Sequence, residues 1–202
     1  MTANDLSSYI GLVAVFLITA NICIGLLIAV RYSPVRYWPH RRFNTFGLHQ
    51  WTAYLAIAAV LLHPIVLLFV PKPHFRIFDI VLPVRSPMQP VENTIGAAAL
   101  YLVVIVLATS LLRIRLGRRL WKMTHYLVYP AGALLYVHGI LTDPDLKNNP
   151  IDYFDGEKVF IEVCLLLVAG FSLWALRHRR ARQRLEKAAH LGRYHAVPTV
   201  AD

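Results

Sequence analysis

Apolar residues in this chain are gathered into five long runs, and short polar or charged segments separate them. Each run is close to the roughly 20 residues that a helix needs to cross the hydrocarbon core of a bilayer. The pattern predicts helices at about Tyr9–Val30, Phe46–Val70, Ile95–Leu112, Leu120–Leu141 and Val159–Leu176. The predicted fold class is therefore all-α, a polytopic membrane helical bundle with five transmembrane helices.

Composition supports this class. Of the 202 residues, 57% are hydrophobic and only 16% are charged, and the mean hydropathy is +0.50. A net charge of +10 is also typical of nucleic-acid-binding proteins, but here the basic residues flank the apolar runs, as membrane topology requires. We therefore expect no nucleic-acid partner. Cys23 and Cys164 lie inside predicted spans and are interpreted as core residues.

Charges in the connecting segments predict the orientation of the chain. Basic connections follow the first and third predicted helices and the fifth, whereas those after the second and fourth are mixed or acidic. Because positive loops stay in the cytoplasm, the amino terminus is expected outside and the carboxyl terminus in the cytoplasm.

A multi-pass protein of the cell inner membrane is expected. Residues 1–176 would form its membrane domain. Residues 177–202 would form a basic cytoplasmic tail that lies in solvent, at the lipid surface or against a cytosolic partner.

Four histidines inside the second and fourth predicted helices are the main candidates for chemistry. His49 and His63 are fourteen residues apart, which returns both to nearly one helix face about 21 Å apart. His125 and His138 lie in a predicted helix that runs in the same direction. His49 and His125 are therefore expected near one side of the membrane, and His63 and His138 near the other. An imidazole buried without a partner costs about 1–3 kcal/mol or more. The pattern favours a ligand held between the two helices at two levels.

Small residues on the same face, Thr52, Ala53, Ala56, Ala59 and Val60, would let a flat macrocycle approach the backbone, as Gly132 and Gly139 would on the fourth helix. The same residues also suit helix–helix packing in lipid. Thirteen residues leave His125 and His138 about 140° out of phase in a straight helix. We therefore predict that Pro130, with Gly132, bends the helix and brings His138 round.

Neutral imidazole is a standard axial ligand of heme iron, and two imidazoles leave no open position for substrate. The hypothesis is two hemes with four metal ligands, one pair being His49 with His125 and the other His63 with His138. Propionates need cationic or hydrogen-bonding partners. The candidates are Arg41, Arg42, Arg119 and Lys122 at the inner site and Arg76 or Arg85 at the outer one, although each of these also reads as an ordinary flanking charge. No catalytic residue is predicted.

The histidine spacings, the segment LGRRLWKMTHYLVY (Leu116–Tyr129) and the dipeptide His138–Gly139 resemble the ferric reductase-like transmembrane domain, the heme module of ferric reductases and NADPH oxidases. The resemblance covers roughly Arg31 to Leu176. It implies two b-type hemes and electron transfer across the membrane. The family usually has six helices in this module, whereas five are predicted here. No nucleotide-binding glycine motif is present, so flavin chemistry is expected on a separate protein.

These observations predict a di-heme membrane cytochrome, an oxidoreductase component. It would accept electrons from a cytosolic flavoprotein or quinol and pass them to an outer acceptor such as a ferric chelate, dioxygen or a periplasmic redox protein. One alternative is a heme membrane subunit that feeds a periplasmic reductase such as methionine sulfoxide reductase, since the segment also resembles that subunit. A second is an enzyme that reduces iron or oxygen itself at its outer face. A third is a heme-free transporter in which the histidines move protons.

Overall fold

A computed structural model describes residues 2–31, 44–143 and 150–195, with side chains up to residue 188. Within these ranges every regular element is helical, which confirms the all-α class. The helices are α1 (Ala3–Ala29), α2 (Thr45–Val66), α3 (Ile77–Val81), α4 (Pro90–Leu111), α5 (Arg113–His125), α6 (Val128–Leu141) and α7 (Gly156–His195). Short 3₁₀ turns lie at Leu67–Phe69 and Pro83–Arg85.

Four segments in the described part of the chain are long and apolar enough to cross a membrane. They are Ala3–Ala29, Thr45–Phe69, Pro90–Leu111 and Gly156–Ala188. Local sequence explains where they begin: Thr2 and Asp5 form a reciprocal cap at the start of α1, and the Asn44 side chain accepts from two backbone N–H groups at the start of α2. The protein is thus a membrane-spanning helical protein.

The predicted fourth helix is divided, because two turn residues, Tyr126 and Leu127, separate α5 from α6. Pro130 has no N–H to bond the carbonyl of Tyr126, and that carbonyl accepts instead from the N–H of Tyr129, three residues on, at 3.1 Å. The expected single span Leu120–Leu141 is therefore divided between the end of the basic helix α5, which Gly117 interrupts with a φ of 72°, and the 14-residue apolar helix α6. The predicted bend near Pro130 is present, and it lies three to four residues before the proline.

The packing places α1 at the centre of the described helices. Its buried residues Ala14, Ile18, Ile22 and Leu26 form half of the largest apolar cluster. Helix α2 packs along α1, α6 packs along α4, and α7 covers α1 and α6. Helices α2 and α6 have few backbone contacts with each other, and the rings of His63 and His138 lie between them.

Helix α7 continues without interruption from the apolar run into the basic segment. Its 40 residues extend about 60 Å, roughly twice the hydrocarbon thickness. The Trp174 and His178 rings stack at 5.5 Å between their centroids. The predicted boundary at residue 177 therefore falls within one continuous helix.

Candidate metal centre

Two pairs of imidazoles lie between α2 and the α5–α6 segment, one pair at each end of the bundle. The ring centroids of His49 and His125 are 6.3 Å apart, and those of His63 and His138 are 6.2 Å apart. The planes of the two rings meet at 73° in both pairs. The structure therefore brings the four histidines together in twos, in the combination that the sequence suggested.

Backbone carbonyls anchor the rings of the pair near the start of α1, which we call the outer pair. His63 donates from Nδ1 to the carbonyl of Ser7 at 2.8 Å, and the Ser7 hydroxyl lies 3.1 Å from the same nitrogen. His138 donates from Nδ1 to the carbonyl of Glu92 at 2.8 Å, and Thr142 Oγ1 is 3.3 Å away. Both rings are thus fixed through Nδ1, which leaves Nε2 as the nitrogen available for a ligand.

The other pair, His49 and His125, which we call the inner pair, is also anchored by residues of α1 and α4. His49 Nδ1 lies 3.2 Å from the carbonyl of Asn21, and the Asn21 amide donates to the carbonyl of His49 at 2.6 Å and to Thr52 Oγ1 at 2.8 Å. His125 Nδ1 lies 3.3 Å from Ser110 Oγ on α4. The four anchors come from α1 and α4, so these helices hold the rings from outside while α2 and the α5–α6 segment carry them.

Three glycines allow α1 and α4 to approach the imidazoles closely. A Cβ atom at Gly96 would lie 2.8–3.0 Å from three atoms of the His138 ring. At Gly11 it would lie 3.1 Å from the His63 ring, and at Gly25 it would lie 3.3 Å from the His49 ring. Any larger side chain would push these rings from their positions, so the glycines define where the imidazoles stand.

The ring separation fits a metal ion bound between the members of each pair. A metal ion midway between two imidazoles lies about 2 Å from each ligating nitrogen, so with Nε2 about 1 Å from its ring centre the centroids are roughly 6 Å apart. Within the described residues, no hydrogen bond occupies Nε2 of any of the four rings. Each pair therefore offers two neutral nitrogen ligands from opposite directions.

The donor set fits heme better than a bare metal ion. Zinc sites use three or four protein ligands, and no group of three or more His, Cys, Asp or Glu side chains in the described ranges is placed to hold a metal ion. A porphyrin supplies four nitrogens of its own and needs only the two axial ligands that each pair provides. The two-histidine arrangement is incomplete for zinc and complete for heme.

A buried polar atom beside the inner pair also needs a partner. The Trp121 ring lies 5.3 Å from the His125 ring. Trp121 Nε1 is buried, and no acceptor for it exists among the residues that the structure describes. An unsatisfied buried donor costs about 1–3 kcal/mol. A carboxylate of a bound porphyrin would supply the missing acceptor.

The face of α2 between its two histidines is turned inward and offers little bulk. Ala56 and Val60 are buried, and Thr52, Ala53 and Ala59 are half-buried. On α6, Gly132 is buried as well. Gly139 faces α7, since a Cβ there would meet Ile161. Ala56, Ala59 and Val60 belong to the apolar cluster that includes residues of α1, Gly132 faces Ile22 of α1, and Gly139 serves helix packing.

The predicted propionate partners are not all near the imidazoles. Arg119 and Lys122 are exposed on α5, where the Lys122 ammonium lies 5.9 Å from the centre of the Tyr126 ring. Arg76 and Arg85 are exposed and are not among the residues that line the cavity at the outer pair. Arg41 and Arg42 lie outside the described residues.

Sequence reasoning missed the contributions of α1 and α4. Backbone carbonyls carry no residue signal, but the small residues beside them repeat at the spacing of the α2 histidines. Gly11 and Gly25 are fourteen apart, and so are Gly96 and Ser110. A search for this spacing in the neighbouring helices would have found them.

The fold and the paired imidazoles define a class, that of helical membrane proteins with two facing histidine pairs. Comparison with known families narrows this class. Residues 10–136, more than half of the chain, match the family described as ferric reductase like transmembrane component. The chain belongs to this family, and is accordingly an oxidoreductase-related membrane component. No curated protein matches the chain, and no solved structure matches it.

Proposed function

We propose that this protein is a di-heme b-type membrane cytochrome that carries electrons across the cell inner membrane. The electrons would come from a cytosolic flavoprotein or from quinol and go to an acceptor on the outer side. The observation that carries the proposal is the pair of 6.2 and 6.3 Å ring separations, together with Nδ1 anchors that leave Nε2 for iron. Family membership supports the same chemistry.

Each element has a stated task in this proposal. His49 with His125 and His63 with His138 ligate the two irons, and heme supplies the reversible one-electron couple when it is bound. With two imidazoles holding each iron, neither iron would offer a position to substrate. The α5–α6 segment would complete a fifth crossing, with the amino terminus outside and the carboxyl terminus in the cytoplasm.

Several kinds of electron acceptor could react at the outer end of the bundle. Ferric chelates, dioxygen and a periplasmic redox protein all accept single electrons. Because His63 and His138 would hold the outer heme from both sides, an acceptor would take an electron without binding the iron. A periplasmic reductase such as methionine sulfoxide reductase would take electrons in the same way. The basic part of α7 and the basic helix α5 offer positive charge to a cytosolic flavoprotein.

A heme-free proton relay is a weaker explanation of the four histidines. Three of the Nδ1 atoms lie on backbone carbonyls, which do not pass protons on. The two pairs are separated by about 21 Å along α2, and the inward face between them carries alanine, valine and a single threonine whose hydroxyl bonds its own helix. A proton path needs titratable groups or water there.

Single histidine substitutions test the proposal. Protein purified from cells supplied with heme should show reduced-minus-oxidised bands of a b-type cytochrome. His49→Ala, His63→Ala, His125→Ala and His138→Ala should each lose about one heme of two by extraction. His74→Ala is the matched control, because this histidine is exposed in the segment after α2, and it should keep both hemes.

Two results would contradict the proposal. If the purified protein contained no heme, electron transfer through heme would be excluded, and the proton-relay explanation of the four histidines would be favoured. Unchanged heme content in both His63→Ala and His138→Ala would show that iron is not held by the outer pair.

A further inference from the structure

A buried lysine lies at the outer end of the bundle, beside the outer histidine pair. Lys158 is in the first turn of α7 and is only 5% exposed. It lines the same cavity as His63 and His138, which has about 1270 Å³ of empty space, part of it open to solvent. A lysine ammonium is rarely buried unless it is paired, because its desolvation costs several kcal/mol.

The partners of Lys158 lie on the helix that carries His138. Its ammonium donates to the carbonyl of Ile140 at 2.6 Å and to the carbonyl of Thr142 at 3.0 Å, both at the carboxyl end of α6. Thr142 Oγ1 in turn contacts Nδ1 of His138. Thr142 therefore contacts both groups: its carbonyl accepts from the Lys158 ammonium, and its side chain contacts the His138 imidazole.

Two carbonyls do not complete the requirements of this ammonium. It has three donors, and carbonyl dipoles compensate only part of a full charge. Three carboxylates line the cavity, those of Asp79, Asp143 and Glu157. Glu157 accepts from the Ser8 hydroxyl at 2.9 Å, Asp79 accepts from the backbone N–H of Arg76 at 2.8 Å, and Asp143 also has an interaction partner. Across the described ranges, no ion pair neutralises Lys158.

We propose that the third donor of Lys158 binds a carboxylate in this cavity, and that the carboxylate is a propionate of the heme held by His63 and His138. The inference rests on the proposed function. Lys158 is then a positioning residue that also favours reduction of the outer heme, since a nearby positive charge stabilises the more negative ferrous state. A carboxylate-bearing acceptor such as ferric citrate offers the same chemistry from a different source, and the test separates the two.

Three variants distinguish a charge effect from helix capping. Lys158→Met removes both the charge and the hydrogen bonds, Lys158→Gln keeps donors for the α6 carbonyls without charge, and Lys158→Arg keeps the charge. Lys72→Gln is the matched control, because Lys72 is an exposed cation in the segment that follows α2 at the same end of the bundle. Redox titration of the purified heme protein gives the two midpoint potentials, and extraction gives the heme content.

We expect Lys158→Met and Lys158→Gln to disfavour reduction of one heme by about tenfold, a fall of 59 mV for one electron. Lys158→Arg and Lys72→Gln should resemble wild type. The His63→Ala background, which keeps only the inner heme, should show no effect of Lys158→Gln. Loss of about one heme in Lys158→Gln, with retention in Lys158→Arg, supports the same assignment.

Other outcomes overturn the inference without touching the proposed function. If wild type holds two hemes and Lys158→Gln leaves both midpoint potentials unchanged, Lys158 only caps the carboxyl end of α6. Unchanged potentials, with a higher half-saturating ferric citrate concentration in the reoxidation of dithionite-reduced protein, would assign the carboxylate to the acceptor. Wild type without heme would instead contradict the proposed function itself.

Discussion

At the scale of single residues, the site depends on what stands behind each imidazole as much as on the imidazole itself. Four nitrogens can face two irons only if their rings are held at the right angle and depth. Carbonyls of Ser7, Asn21 and Glu92 set the angle, and glycines at 11, 25 and 96 set the depth. A hydrogen-bond acceptor behind a ligating imidazole fixes the orientation of the ring and tunes its strength as a ligand.

The glycine contacts predict a graded series of alanine variants. Gly96→Ala should displace His138 most, because its Cβ would lie 2.8 Å from the ring. Gly11→Ala at 3.1 Å and Gly25→Ala at 3.3 Å should have smaller effects. Overpacking of this kind costs about 1–3 kcal/mol. Gly96→Ala should lower heme content from two toward one, measured by extraction.

Gly170→Ala is the control for this series, since nothing lies within 4 Å of its Cβ, and it should keep both hemes. Equal heme content in Gly96→Ala and Gly170→Ala would show that the close approach of α4 is not needed for ligation.

At the scale of elements, the joint between α5 and α6 reconciles a thirteen-residue spacing with a facing pair. A straight helix would leave His125 and His138 about 140° apart. The two turn residues and the 3₁₀ bond from Tyr129 to Tyr126 change the rotation between them. Pro130 makes this joint the preferred conformation because it cannot donate to Tyr126.

Pro130→Ala is expected to restore that donor and favour a continuous helix. Helix content by circular dichroism should stay the same or rise, whereas one heme should be lost in part because His138 turns away from His63. Pro90→Ala is the control, because Pro90 occupies the first turn of α4, where a missing N–H costs nothing. Full heme content in Pro130→Ala would mean that tertiary packing alone positions His138.

The sequence predicted the helices better than it predicted the contacts between them. Periodicity and hydropathy predicted the helices, and the His49–His63 spacing predicted the facing pairs, since both follow from helix geometry. The burial of Lys158 was not predictable, because it depends on contact between α7 and the end of α6, which are adjacent only in the fold. The same holds for the carbonyl of Glu92, which any residue would provide.

At the scale of the whole molecule, α2 and the α5–α6 segment run in the same direction, since His49 faces His125 and His63 faces His138, and α1, α4 and α7 pack around them. This arrangement places one histidine pair toward each end of the bundle. The charged connections predict which end faces the cytoplasm. In that orientation the basic part of α7 and helix α5 would lie at the inner membrane surface.

Reporter fusions test this orientation. Green fluorescent protein fused after Ala188 should fluoresce, and alkaline phosphatase fused there should be inactive, because position 188 is expected in the cytoplasm. The control fusions after Val70, in the segment between α2 and α3, should behave in the opposite way. Active phosphatase at position 188 would invert the orientation and with it the direction of electron flow.

The most direct test of the central claim is the molar ratio of heme b to purified full-length protein. The account predicts two hemes per chain, both six-coordinate and low-spin in the oxidised protein, because each iron is held by two imidazoles. A ratio of zero, or a single heme that survives the loss of either histidine pair, would contradict it.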